Sequence, residues 1–223
     1  MNIAVVGACG KLGSLIVKEL KKDNINAAKI DSKLGNSLHS QNNICAVIDA
    51  SHPNASLSCA KFCSEHNLPL LIACTGHTKE QLTLIHQTCL NIAYCICPNL
   101  SVGILFLLQS LKQVKLFSNA KIQITEIHHK NKKDSPSGTA IALQNQIVSC
   151  GQTVEKMNSI RQGNKIGTHL IQIKLPHEEI TLTHKALNRT VFAEGAKLAI
   201  KELLELPAGN YTLLDLIGGS YEN

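Results

Sequence analysis

The stretch MNIAVVGACGKLGSLIVKEL, residues 1–20, decides the fold. Ile3 to Val6 make a short apolar run that ends at Gly7, and Leu12, Leu15, Ile16 and Leu20 then fall on one helical stripe. This reads as strand, glycine turn, helix. Gly7, Gly10 and Gly13 recur at three-residue spacing between the two, a variant of the dinucleotide fingerprint in which glycines permit a tight turn and close approach of a pyrophosphate. The helix start would add free backbone N–H groups and a favourable dipole. A glycine-rich turn without a ligand has the same spacing, but its place directly after an apolar strand points to a nucleotide. Cys9, Lys11 and Leu12 share the turn and join the three glycines as candidate cofactor contacts.

Roughly 20 residues further on, at the end of a second strand, an acidic residue is expected to hold the adenosine ribose. Asp31 stands there, in Ala27-Ala28-Lys29-Ile30-Asp31-Ser32-Lys33. Asp31 favours NADH; Lys29 or Lys33 would instead pair with the 2′-phosphate of NADPH, or all three are ordinary loop charges, so both cofactors stay open. Ser32 to Asn43 leaves little room for a full helix.

Outward from this unit, short apolar runs recur at Cys45–Ile48, Leu70–Cys74 and Ile92–Cys97, separated by helix-like stretches at Ala55–Glu65 and Lys79–Cys89. Buried strands alternating with helices predict a parallel sheet. The pattern changes after Asn99. A long apolar helix over Val102–Val114 leads into Lys121–Glu126, where the spacing shifts toward strand alternation. A hairpin follows, with Leu170, Ile171, Ile173 and Leu175 before Pro176-His177-Glu178-Glu179 and Ile180, Leu182 and His184 after it. Phe192–Leu206 is helical by spacing and stops at Pro207, and Tyr211–Ile217 is one more apolar segment, expected to pack back on the first domain. The expected fold is α/β: an N-terminal Rossmann-like dinucleotide-binding domain and a C-terminal α+β domain with a mixed sheet.

With 223 residues, 44% hydrophobic and 17% charged, the chain can bury one large core or two small ones, which excludes a disordered or fibrous protein. No charged leader precedes an apolar core, and no run reaches the roughly 18 apolar residues that span a bilayer, so a soluble, cytoplasmic protein without a membrane partner is expected. Nine cysteines scattered through apolar runs lack the pairing of a zinc site or a disulfide framework, and read as small buried hydrophobes in a reducing compartment. Cys59 and Cys63 share a helical face and are the one conceivable thiol pair; no metal is expected. A net charge of +6 would suit nucleic acid, but only three Tyr and four Phe are present for stacking and no recognition motif appears, so a small anionic ligand explains the charge better.

The densest chemistry is EIHHKNKKDSPSGTA, residues 126–140. Histidines and lysines run up to Ser-Gly-Thr at the first turn of a helix over Ala140–Val148, where free backbone N–H groups and a Thr hydroxyl can hold a carboxylate. A lone basic run is usually a solvated loop, and a lone His128 would be a hydrogen-bonded histidine at a strand end. Here cations and an anion-binding helix start share one stretch.

This stretch resembles the E-x-H-H…K-x-D-x-P-S-G-T-A signature of the 4-hydroxy-tetrahydrodipicolinate reductases. The resemblance runs along most of the chain. Ile48-Asp49-Ala50-Ser51-His52-Pro53 is similar to the family's I-D-F-T-x-P, Cys74-Thr75-Gly76 to its T-T-G, and Asn99-Leu100-Ser101-Val102-Gly103 to its N-F-S-x-G. Arg161, Gly167-Thr168-His169, Thr183-His184-Lys185-Ala186, Arg189, Phe192, Gly195 and Ala196 follow the family's order. The resemblance implies a dinucleotide-binding domain from residues 1–99 with 190–223, and a substrate-binding and oligomerisation domain from 100–189 that makes a homotetramer. It implies reduction of a small cyclic dicarboxylate by NADH or NADPH, with loss of water, in diaminopimelate and lysine biosynthesis. His128 would be the acid, Lys132 its cationic partner, and His129, Gly138 and Thr139 substrate contacts; Ser51, Ala73, Thr75, Cys97 and Leu100 would join the glycine loop around the cofactor. The chemistry suits these residue types, since hydride addition to a cyclic imine needs a proton that an imidazole gives near neutral pH. Lys132 would stabilise developing charge and bind a carboxylate.

Departures cluster in one place. Ala50 and Ser51 stand where the family has an aromatic and a threonine, Ala73 replaces a Gly, Cys74 a Thr and Leu100 a Phe. They put cofactor affinity in question more than the reaction class. A different Rossmann imine reductase would share the glycine loop but leaves the 126–140 block unexplained. An inactive or sensory nucleotide-binding relative would keep the fold without turnover.

Overall fold

The structure, a computed structural model, describes residues 1–218; the last five residues of the predicted first domain, 219–223, lie outside the described residues. It divides into two compact units, one of residues 1–100 with those from Thr190 onward, the other of residues 101–189.

The first unit holds β1 (Asn2–Val6), α1 (Lys11–Lys22), β2 (Asn26–Ile30), β3 (Ala46–Asp49), α2 (Pro53–His66), β4 (Leu70–Ile72), α3 (Lys79–Thr88) and β5 (Ala93–Ile96). Its six-stranded sheet runs β10-β5-β4-β3-β1-β2, with every pairing parallel and the two-residue β10 (Gly209–Asn210) at one edge. The central strands are apolar along their length because both faces are covered. Ala4, Val47, Leu70 and Ile72 pack against Cys59, Phe62 and Cys63 of α2 and Ile85 of α3. On the other side α1 packs against α6 (Thr190–Leu203), which lies along β3, β4 and β5 and is followed by α7 (Leu213–Gly218). Between β2 and β3 there is no helix, only two single 3₁₀ turns at Ser32–Leu34 and Leu38–Ser40, which is all the short connection accommodates. All nine cysteines are free; burial pushes the Cys59 and Cys63 thiols up, so they act as packing side chains.

The second unit holds α4 (Val102–Leu111), β6 (Lys121–His128), α5 (Gly138–Ser149), β7 (Val154–Arg161), β8 (Gly167–Lys174) and β9 (Glu179–Ala186). Its sheet order is β7-β6-β8-β9, parallel between β6 and β7 and antiparallel at the other two pairings. Strand alternation sets the face of each side chain on β6. Ile122 and Ile124 point into a core shared with Leu107 and Leu111 of α4 and Leu143 and Ile147 of α5, and Glu126 and His128 continue that inward row. Two ionisable groups therefore stand at the end of an apolar face. The helix expected to reach Val114 stops at Leu111 and tightens into a 3₁₀ turn over Lys112–Leu116. Val114 stays buried, so the apolar spacing outlasts the α-helical bonding. The sequence pattern does not predict β7; VEKMNSIR is polar and at a sheet edge, and its alternation is too weak to read.

Candidate active site

In the first unit the glycines do three separate jobs. Gly7 has φ +78°, and a Cβ on it would lie 2.7 Å from the carbonyl of Ala50. A Cβ on Gly13 would lie 2.1 Å from the carbonyl of Gly7, so the loop closes over the helix only with glycine there. Gly10 is the N-cap of α1 and supplies no side-chain cap. By contrast α2, α3, α4 and α5 are capped by His52, Thr78, Ser101 and Ser137. With no acidic residue in its first turn, α1 leaves its leading amides available to an anion, which fits the pyrophosphate of a dinucleotide. Asp31 meets this loop: its Oδ2 accepts from Cys9 N at 3.0 Å and its Oδ1 from Lys33 N at 3.0 Å. The amides of Lys33 and Cys9 hold its carboxyl below the usual range. Each oxygen keeps a lone pair for a ribose hydroxyl.

Beside the loop is an open cleft of about 470 Å³, where Leu12, Ser51, Ala73, Cys74 and Thr75 are among the lining residues. Of the residues expected around the cofactor, Cys97 and Leu100 are instead buried at 5% and 2% exposure, with the Cys97 thiol donating to the carbonyl of Asn99 at 3.1 Å. Behind the lining is a fully buried carboxylate, Asp49. Its Oδ1 accepts from the backbone N–H of Ser51 at 3.0 Å and from the Ser51 hydroxyl, and its Oδ2 from Ser56 Oγ at 2.6 Å. His77 Nε2 lies 2.8 Å from Ser56 Oγ; because that hydroxyl gives its proton to Asp49, the imidazole is the donor. Burial and the Asp49 charge push the Cys74 thiol up to about 12.

In the second unit β6 places Glu126 and His128 two residues apart on one face, and His128 Nδ1 bonds the Glu126 carboxylate. An ionised carboxylate only accepts, so Nδ1 carries the proton and Nε2 is the working nitrogen. Room for it depends on Gly167, where a Cβ would come within 3.0 Å of Nε2. Arg161, opposite His128 on β7, donates to Glu126 Oε1 at 2.7 Å and to the Asp134 carbonyl at 2.6 Å. Ser137 N, at the start of α5, donates to the same Oε1 at 3.3 Å. Burial alone would raise Glu126, but the bonds from Arg161, His128 and Ser159 win and its carboxyl lies below the usual range. Burial, with the charges of Lys132 and Arg161, lowers His128 against the pull of Glu126, which raises it, and the imidazole lies below its ordinary range. Lys132 Nζ rests 2.8 Å from Asp134 Oδ1. His129 is half-buried in the turn that returns to Lys132 N, and Gly138 and Thr139 open α5, where a Cβ on Gly138 would meet open space.

Next to His128 the sheet carries two more imidazoles. His169 of β8 lies directly across from Glu126 and from His184 of β9. The rings of His128 and His169 meet edge to face at 5.3 Å, and those of His169 and His184 at 6.0 Å. His184 Nε2 reaches Ser101 Oγ at 3.2 Å. Among the described residues neither nitrogen of His169 has a partner, and burial together with the neighbouring His128 and His184 holds it down at about 4, so it is neutral. No grouping among the described residues has the spacing of a metal site. No described helix is long and apolar enough to cross a membrane.

The family model for the amino-terminal part of dihydrodipicolinate reductase matches residues 1–100, and that for the carboxy-terminal part residues 103–217. The chain belongs to the dihydrodipicolinate reductase family. It is 33% identical over 218 residues to the 4-hydroxy-tetrahydrodipicolinate reductase of Thermosipho africanus, covering 97% of this chain and 98% of that one. Against that of Buchnera aphidicola subsp. Cinara cedri it is 30% identical over 264 residues, covering 97% and 96%. A dipicolinate-bound dihydrodipicolinate reductase from Paenisporosarcina sp. TG-14 shares the fold, with TM-score 0.80 at 21% identity over 97% of this chain and 99% of that one. These reductases are NAD(P)H-dependent oxidoreductases, and the parallel sheet with its glycine loop is the part suited to that cofactor.

Within this member of the dihydrodipicolinate reductase family, sequence reasoning singles out His128 and Lys132 but gives no role to Glu126, Arg161, His169 or His184. Glu126 and His128 at i and i+2 on a strand are a usable signal. The other three arrive from β7, β8 and β9, and no spacing along the chain announces that pairing.

Proposed function

We propose that this reductase converts 4-hydroxy-tetrahydrodipicolinate to tetrahydrodipicolinate, with NADH or NADPH, in the diaminopimelate route to lysine. The observation that carries the reading is the Glu126–His128 pair, which fixes the imidazole tautomer and leaves Nε2 next to Gly167. The reduced nicotinamide supplies the hydride when bound. Nε2 of the neutral imidazole takes up a proton from solvent, Glu126 stabilises the imidazolium so formed, and His128 then gives that proton from Nε2 to match the hydride. Lys132 turns from Asp134 to one substrate carboxylate, while the amides at Gly138 and Thr139, with His129, receive the other. Gly7, Cys9, Gly10, Lys11, Leu12 and Gly13 cradle the pyrophosphate, Asp31 takes the ribose, and Ser51, Ala73 and Thr75 surround the nicotinamide, with Cys97 and Leu100, whose side chains are buried, offering backbone alone. In this reading residues 1–99 with 190–223 bind the dinucleotide and residues 100–189 bind substrate and assemble the enzyme.

The assembly is a homotetramer in the cytoplasm, reached through the outward face of the second sheet. Thr125, Ile127, Leu170 and Gln172 alternate with its inward row and stay half-buried, and Ile160 is 40% exposed. Light scattering should give four chains; a monomer at micromolar concentration would remove the assembly part of the proposal. The activity is tested by following the reduced-nicotinamide absorbance with the preceding synthase generating substrate in place. Oxidation that requires the synthase supports the reading, and its absence from folded protein with either cofactor refutes it.

A further inference from the structure

Asp49 is the feature of the first unit that packing does not account for. A buried carboxylate is normally paired with a cation, because desolvating a lone charge is costly. Asp49 is fully buried, yet among the described residues no lysine or arginine pairs with it. Its oxygens are met by neutral donors: Ser51 N and Oγ on one, Ser56 Oγ on the other, with the Cys74 thiol 3.6 Å from the latter. Four donors approach its two oxygens, the number a carboxylate accepts, and none of the four carries a charge. The imidazole bonded to Ser56, that of His77, is pulled down by burial, so it does not supply the missing cation. Two of the donors, Ser51 and Cys74, line the open cleft. An unneutralised negative charge is thus fixed one side chain beneath the cleft floor.

We infer that Asp49 is a charge-positioning residue that favours the oxidised, cationic form of the nicotinamide over the reduced, neutral one. A nicotinamide bound in this cleft would supply a hydride, both electrons passing to the substrate carbon, and would be left with a positive charge that Asp49 is placed to favour. A carboxylate held behind the cleft floor would lower the energy of that charge without any movement, and its own complete burial limits screening by solvent. The same carboxylate holds the Ser51 backbone, so its charge and the floor of the cleft move together. The inference rests on the reading that this cleft receives the nicotinamide.

The test is the pair of dissociation constants for NAD⁺ and NADH, measured by calorimetry and by nicotinamide fluorescence on the full chain and on Asp49→Asn. Asparagine keeps the size and the bond from Ser51 while removing the charge. The ratio of NAD⁺ to NADH dissociation constants should rise by about tenfold, with NADH affinity nearly unchanged. Equal weakening of both forms would mean that Asp49 only holds the Ser51 loop, and overturns the inference while the cleft reading stands. No binding of NAD⁺, NADH, NADP⁺ or NADPH to the wild-type protein overturns both, and where only the phosphorylated pair binds, the same ratio is read with NADP⁺ and NADPH. Should Asp49→Asn fail to fold, His77→Lys sets an ammonium beside Ser56 and Asp49 and should shift the ratio in the same direction; an unchanged ratio in that folded variant equally overturns the inference.

Discussion

On the proposed function, two helix starts in this molecule receive anions by opposite means. At α1 the chain removes everything: Gly10 provides no cap, no carboxylate occupies the first turn, and Gly7 and Gly13 shed their side chains so that backbone can close on backbone. At α5 the chain adds: Ser137 caps the helix through Ala140 N, and its own N–H is tied to Glu126, which also holds His128 and Arg161. The first arrangement offers an anion backbone alone and suits a pyrophosphate, whose charge does not change when the cofactor is oxidised. The second suits chemistry, because side chains fixed around a helix start carry protons and a tunable charge. Substitutions should therefore separate: changes around α5 act on turnover, and changes around α1 on cofactor affinity.

The largest expected effect tests the α5 side. His128→Ala and Lys132→Ala should each lower kcat by about 100-fold or more, the range for losing a positioned acid or a charge that stabilises the transition state. Dissociation constants for NADH should stay within about twofold, since neither residue belongs to the α1 arrangement. Near-normal turnover in both variants would falsify their assigned roles, and a parallel loss of NADH affinity would erase the separation.

This contrast also explains which parts are legible in the sequence. The α1 arrangement is contiguous, and its signature is glycine spacing after an apolar strand, so Gly7, Gly10, Gly13 and Asp31 can be read one by one. The parallel sheet follows from apolar runs too short for helices, and the hairpin of β8 and β9 from its alternation. His128, Lys132, Gly138 and Thr139 are legible because they share one segment. His169, His184 and Arg161 sit on three other strands, and only strand register brings them to Glu126 and His128. Asp49 is visible as part of a motif, but its lack of a cation partner is a fact of three dimensions.

The next effect concerns a group that only the strand register reveals. His169 is held at about 4, below its ordinary 6.5, chiefly by burial. As pH falls from 6.5, the unfolded chain takes up a proton that the folded chain refuses until about 4, so this contribution is complete above 6.5 and is lost down through that window. Its full size is up to about 3 kcal/mol. Urea unfolding should show stability falling between pH 7 and pH 5, before the carboxylates titrate. His169→Phe should flatten that slope while keeping the ring packed on His128 and removing two unpaired nitrogens. Some slope must remain, because His128 and His184 are lowered by burial too. An unchanged slope would mean that the ring is hydrated in solution and not buried.

Smaller still is the expected cost of filling the α1 turn. In Gly13→Ala the new methyl would lie 2.1 Å from a backbone carbonyl, not from a flexible side chain, so the turn itself must shift. A destabilisation of about 2 kcal/mol is expected, as for an overpacked core site. NADH affinity should fall with it, while turnover at saturating cofactor stays close to normal. A kcat loss as large as that of His128→Ala at saturation would show that the two helix starts do not work independently.

The finest distinction lies within the α1 arrangement, at Asp31. Both of its oxygens are already engaged, by Cys9 N and Lys33 N, and this fixes the carboxylate at the end of β2 with its remaining lone pairs outward. Two vicinal ribose hydroxyls can donate to such a group, whereas a 2′-phosphate brings like charge to it. Asp31→Ala should therefore raise KM for NADH several-fold, leave KM for NADPH unchanged or lower it, and leave kcat untouched with either. The split between cofactors is the informative readout, because loosening the Cys9 and Lys33 amides would weaken both cofactors alike. Equal effects on the two would reduce Asp31 to a brace for the glycine loop, and cofactor choice would then pass to the lysines on either side of it, Lys29 and Lys33.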